Sequence, residues 1–150
     1  MTIGKICNRE TIIITTDRTI VDAARLMRDQ HVGDLVVVEE LSGRRIPVGI
    51  LTDRDLVVEI LAKEISLGAV TVGDVMTREP ITARETDSIY DTMQRMRAKG
   101  VRRIPVVDAG GSLVGIVAVD DFLDLLSDEL TALARVVTRE QARERQNRPA

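Results

Sequence analysis

The sequence predicts an α/β (α+β) fold of two β-α-β-β-α repeats packed about a pseudo-twofold axis, and three observations predict it. The two halves of the 150-residue chain match each other at a displacement of 69 positions, Thr2 falling on Thr71. Within each half, short β-rich runs alternate with segments whose apolar residues recur at helical spacing. Hydrophobic residues make up 44% and charged residues 30%, enough to build a core beneath a soluble surface.

The internal match governs the assignment of every element. TIGKICNRETI at 2 to 12 and TVGDVMTREPI at 71 to 81 agree at five of eleven positions, among them Gly4 with Gly73 and Arg9 with Arg78. The same displacement sets Ile20 on Ile89, Asp22 on Asp91, Met27 on Met96 and Val32 on Val101. After VVV at 36 to 38 meets PVV at 105 to 107, the first half carries three extra loop residues, and Gly49-Ile50 then falls on Gly115-Ile116.

Each element has its own local signal. Ile12, Ile13 and Ile14 form a short strand-like run, and Ile20, Ala23, Ala24 and Met27 then mark a helix. LVVV at 35 to 38 and PVGIL at 47 to 51 read as a hairpin, because the intervening ELSGRR supplies Ser and Gly for the turn. A second helix is predicted from about Asp53 to Lys63. The second half repeats the order: Ile89, Met93 and Met96 on a helix, IPVV at 104 to 107, the turn DAGGS, LVGIVAV, and a helix from Asp120.

One such unit has a half-covered sheet, so two should pack together and create two equivalent clefts. The organisation expected is residues 1–66 for the first repeat, 67–130 for the second and 131–150 for a helical extension and tail. KEISLGAVTVGD is a short connection that resets chain direction, with Gly68 and Gly73. The tail RVVTREQARERQNRPA continues the last helix to about Gln146 and frays by Pro149.

Composition excludes several classes of function. A net charge of -3 gives no overall attraction for nucleic acid or an acidic membrane surface. Tyr90 and Phe122 are the sole aromatic residues, too few for a base-stacking platform, and nucleic acid is not the expected partner. The arginine-rich tail alone would carry such binding, and a charge run of this kind reads as a solvated helix face. Cys7 is the single cysteine, which fits a reducing compartment. With no secretion-like start and no apolar run long enough for a bilayer, the cytoplasm is the expected location, without membrane association.

GILTDRDL, at 49 to 56, concentrates polar residues between a strand and a helix. Thr52 and Asp55 stand at the spacing of a capping box, in which each side chain satisfies a backbone N–H at the helix start. At the equivalent place in the second half Asp121 remains, but Ala118 replaces the hydroxyl.

The duplicated unit, VGDVMTREPIT, KGVRRIPVVD and GILTDRD together resemble a tandem pair of cystathionine β-synthase (CBS) domains, the Bateman module, over about residues 2 to 130. The resemblance implies a stand-alone regulatory module that binds AMP, ADP, ATP, S-adenosylmethionine or NAD in its clefts. AMP, ATP and NAD are the ligands expected most, with no required cofactor, and a homodimer and an effector protein are the implied partners. The family motif Gly-apolar-x-Thr/Ser-x-x-Asp is complete at Gly49, Ile50, Thr52 and Asp55. There the Asp is implied to hold ribose hydroxyls and the Thr to assist at phosphate. Asp121 keeps the implied ribose contact of the second motif, while Ala118 leaves its phosphate contact without a hydroxyl.

The chemistry of these side chains fits the implied roles. A carboxylate can accept both hydrogen bonds of a cis-diol, and a helix N-terminus presents N–H groups to an anion. Arg54 also stands in that turn. Within VRRIP, comprising Val101, Arg102, Arg103, Ile104 and Pro105, the two guanidinium groups could face a phosphate from the opposite wall. The first repeat has Gly33 and Asp34 there, so the two clefts should differ electrostatically. Solvated edge charges are the alternative reading of the arginines, and helix capping alone is the alternative for Thr52 and Asp55.

The remaining reactive residues read as structural. His31 falls where a helix ends, opposite Gly100, and has no companions for a metal. Cys7 aligns with Met76 as a small apolar contact, and Met27, Met93 and Met96 lie on apolar stripes. No nucleophile, base and orienting group converge, so an enzyme is not expected, and no metal site is predicted. Ala118 favours a second reading, a ligand-free structural or protein-docking dimerisation module. Phe122, Leu125, Leu126, Leu130 and Leu133 form a stripe on the last helix that points to a dimer.

Overall fold

The computed structural model describes residues 1–148; the expected fraying at Pro149 lies outside them. A 3-10 turn at Ile3–Lys5 precedes β1 (Ile13–Thr15), α1 (Ile20–Gln30), β2 (Asp34–Leu41) and β3 (Arg44–Thr52). One α-turn, α2 (Asp53–Asp55), runs into a π-helix at Leu56–Leu61. The second half holds α3 (Val72–Val75), β4 (Thr77–Arg78), β5 (Ala83–Arg84), α4 (Ile89–Lys99), β6 (Arg103–Val107), β7 (Leu113–Ala118) and α5 (Val119–Asn147). These residues divide into two compact units, Met1–Val117 and the segment from Ala118 onward.

Two small sheets form in the strand orders β1-β2-β3-β4 and β5-β6-β7. β1 runs parallel to β2, and β5 parallel to β6, each pair joined through a helix as a parallel connection requires. β2 and β3 form the predicted hairpin. Ile14, Ala23, Met27, Leu35, Val37 and Leu51 close the first core cluster with Val72 and Met76 from the second half.

The duplication is visible in equivalent local bonds. Thr19 accepts the Asp22 N–H at 3.0 Å to start α1, and Ser88 accepts the Asp91 N–H at 3.2 Å to start α4. Both helices end left-handed, at His31 (φ 54°) and Gly100 (φ 64°). His31 thus performs the helix-ending role that its position predicts.

The halves also exchange their opening segments. Thr77 of β4 pairs with Ile50 of β3, and its counterpart Asn8 bridges to Ile116 of β7. Thr71 bridges to Thr19, and Thr2 to Ser88, which is the same contact displaced by 69 positions. Glycine is required where these segments cross. A Cβ on Gly115 would lie 2.8 Å from the Asn8 carbonyl oxygen, and one on Gly49 would lie 2.9 Å from that of Thr77.

One expectation needs correction. The second helix is not α-helical from Asp53 to Lys63: after Asp55 it widens, with the Ala62 N–H donating to the Val57 carbonyl at 2.8 Å. The β-branched Val57, Val58 and Ile60 crowd an ordinary α-turn, and the i→i+5 spacing relieves that crowding. The connection between the halves ends in a short helix. Asp74 accepts the Thr71 N–H at 2.8 Å and starts α3 within it.

In the second unit, α5 runs 29 residues, so the predicted extension of the last helix is helical to Asn147. Phe122 is buried, whereas Leu126, Leu130 and Leu133 of the predicted stripe are exposed. Among the described residues no helix is long and apolar enough to cross a membrane.

Candidate functional site

The turn between β3 and α2 is built as a reciprocal cap. The Thr52 N–H donates to Asp55 Oδ2 at 2.8 Å, and the Asp55 N–H donates to Thr52 Oγ1 at 3.1 Å. Both helix-start donors are thereby satisfied, which fixes the Thr52 hydroxyl at the end of the strand. Arg54, next in the turn, is exposed.

Directly across the hairpin, Asp34 pairs with Thr52 in the strand register. Its carboxylate Oδ1 lies 2.9 Å from Nε of Arg103. Since 34 plus 69 is 103, these are the same position in the two repeats, one acidic and one basic, joined across the pseudo-twofold relation. Burial pushes the Asp34 carboxyl above its ordinary value; Arg103 opposes the shift and the nearby Asp53 adds to it. Gly33 keeps this wall thin: a Cβ there would stand 3.1 Å from Asp53 Oδ2.

A cavity of about 270 Å³ opens beside these groups, lined by Ile50, Thr52, Thr77, Val101, Arg102 and Arg103. Thr52, Val101, Arg102 and Arg103, proposed from sequence on two separate segments, are thus brought together. Ile104 and Pro105 are fully buried within β6 and serve as strand core. Asp55 is half-buried behind the cap. Asp121 belongs to the second unit, where its Oδ2 accepts the Ala118 N–H at 2.7 Å, the half of the capping box that survives without a hydroxyl.

Three participants lie outside the contact residues expected from sequence. Ile50 was legible as the apolar residue of the Gly-Ile-x-Thr run. Thr77 reaches the cavity only through segment exchange, and Asp34 was noted as a difference between repeats, not as the partner of Arg103. The position-to-position match was the available signal for that pair.

Two larger grooves, of about 420 and 540 Å³, lie along β1–α1 and at the equivalent face of the second half. One ion pair lies in each wall, Arg18 with Asp22 at 3.3 Å and Arg95 with Asp87 at 2.9 Å. Among the described residues no group of three or more His, Cys, Asp or Glu is placed to hold a metal ion.

The family model for the CBS domain matches the chain twice, over residues 3–62 and 72–128. An uncharacterized protein of Methanopyrus kandleri, MK0525, is 33% identical over 125 residues, covering 83% of this chain and 62% of that protein. The chain therefore spans less than two thirds of that relative. A protein with CBS domains from Burkholderia ambifaria MC40-6 has a similar structure, with TM-score 0.73 and 26% identity, covering 84% of this chain and 93% of that one. The CBS domain pair of protein MJ0100, solved with 5'-methylthioadenosine and S-adenosyl-L-methionine, has TM-score 0.71 and 28% identity, covering 84% and 99%. With two matched copies, reciprocal strand exchange and equivalent caps in both halves, the chain belongs to the CBS-domain family as a tandem pair.

Proposed function

We propose that this chain is a regulatory module that binds an adenosine-containing ligand in the cavity beside Thr52 and transmits its occupancy to an effector protein. The observation that carries the reading is the convergence of Thr52, Thr77 and Arg102 on one cavity of about 270 Å³ with apolar walls from Ile50 and Val101. Apolar walls with a few placed polar groups suit a purine nucleoside. The ligands named for the similar MJ0100 pair support the adenosine class. Residues 1–66 and 67–130 act as the two repeats, and 131–150 as an extension. No catalytic role is part of this reading.

The roles follow from chemistry. Arg102 meets a phosphate or carboxylate group of the ligand, and the Thr52 hydroxyl donates to it. Asp55 releases part of its cap to hold the ribose diol; Asp121 does the same at a second, weaker site, where Ala118 provides no hydroxyl. Occupancy becomes a signal because the ligand binds one arrangement of the repeats better than the other.

A thermal-shift series on protein stripped of carried-over ligand tests this, with AMP, ADP, ATP, NAD, S-adenosylmethionine and 5'-methylthioadenosine. A ligand at a hundred times its Kd should raise the Tm by roughly 5–10 °C. Asp55→Ala or Arg102→Ala should abolish most of that rise. Folded protein with no shift for any of them would transfer the weight to a docking module, the reading that Ala118 favours.

A further inference from the structure

An ion pair borders the cavity beside Thr52, and its two members are unequally placed. The Nε–H of Arg103 on β6 donates to Oδ1 of Asp34 on β2 at 2.9 Å. The acid side chain is 14% exposed and the base 38% exposed, so the carboxylate lies within the wall while the guanidinium reaches the cavity that it lines. Two charged groups act on the carboxylate: Arg103 from β6 favours its ionised form, and Asp53, at the start of α2, opposes it. Among the described residues Arg103 is its single side-chain partner, and Arg102, further along the same wall, forms no ion pair.

A phosphate monoester carries between about one and two negative charges near neutral pH. Set against Arg102 and Arg103, it makes the Arg103 guanidinium balance two anions and brings like charge toward a carboxylate that already has Asp53 beside it. Within a half-buried wall salt screens such a conflict poorly. Transfer of one proton from solvent to the Asp34 carboxylate, giving the neutral acid, removes it and leaves the Arg103 charge to the phosphate. A nucleoside without a phosphate creates no such conflict.

We infer that binding of a phosphate-bearing nucleoside in the cavity beside Thr52 is coupled to uptake of a proton by Asp34, so that the module reads its nucleotide and the acidity of its surroundings together. This inference rests on the proposed ligand role of that cavity. It gives the acid–base difference between the two repeats a regulatory use.

Calorimetric titration with AMP and with 5'-methylthioadenosine tests it, on wild type and Asp34→Asn between about pH 7.5 and 5. The second proton of the AMP phosphate itself, with a pKa of about 6, acts on both proteins and cancels in their ratio. Acidification should raise the wild-type affinity for AMP at least about threefold relative to that of Asp34→Asn, because the wild-type complex holds more protons than the free protein. For 5'-methylthioadenosine the same ratio should stay constant. A flat ratio for AMP, or an equal rise for both ligands, overturns the inference. Carbon-13 NMR titration of the Asp34 carboxyl in wild type needs no variant: its midpoint should rise by about one pH unit when AMP saturates the protein and stay in place with 5'-methylthioadenosine. A midpoint that AMP leaves unmoved overturns the inference as well. Failure of AMP to bind either protein at any pH is a separate result, which removes the ligand role of the cavity and the proton coupling with it.

Discussion

Asp34 decides how much positive charge the cavity offers, because its carboxylate, 2.9 Å from the Arg103 guanidinium, neutralises one of the two arginines on that wall. Asp34→Asn should therefore favour phosphate-bearing ligands, raising the affinity for AMP relative to 5'-methylthioadenosine several-fold by calorimetry; an unchanged ratio would count against the role. The same substitution has a pH signature. A folded-state carboxyl held above its ordinary value of 3.8 binds its proton sooner than the unfolded chain does. Its contribution to stability is hence most favourable at low pH and falls as pH rises through the folded value. Wild type should gain stability relative to Asp34→Asn as pH is lowered through that range, followed by urea denaturation. At this scale the capping pair Thr52–Asp55 was legible, since its members are three residues apart. The Asp34–Arg103 pair was not, because nothing local links residues so far apart in the chain.

The starts of α1 and α4, their left-handed ends and the β2–β3 hairpin follow from residues within one or two turns of each feature. The π-turn after Asp55 was not legible, because periodicity marks a helix without fixing its hydrogen-bond spacing. Nor was the crossing of β4 over β3, although Gly49 and Gly115 lay in plain sight within the matched motifs. Because backbone oxygen stands at 2.9 and 2.8 Å from their added Cβ atoms, Gly49→Ala and Gly115→Ala each force one strand away from its exchanged partner. Each should cost about 1–3 kcal/mol in chemical denaturation, the ordinary penalty for overpacking. A neutral effect at both would contradict the close crossing.

For the whole molecule, exchange of opening segments means that neither repeat owns all its strands. Residues 67–150 produced alone should lack a cooperative unfolding transition by circular dichroism, because β7 loses Asn8 and α4 loses its contact with Thr2. A fragment that unfolds cooperatively on its own would show that the exchange is dispensable. The sequence by itself determined the repeat, the order of elements, the caps and the motif turn, since each depends on a period or on hydrogen bonds between near neighbours. Tertiary structure alone decided that Thr77 joins Thr52 and Arg102 in the cavity, and that Asp34 restrains Arg103. Those contacts join segments tens of residues apart, and their geometry exists only once the two halves have traded strands and packed.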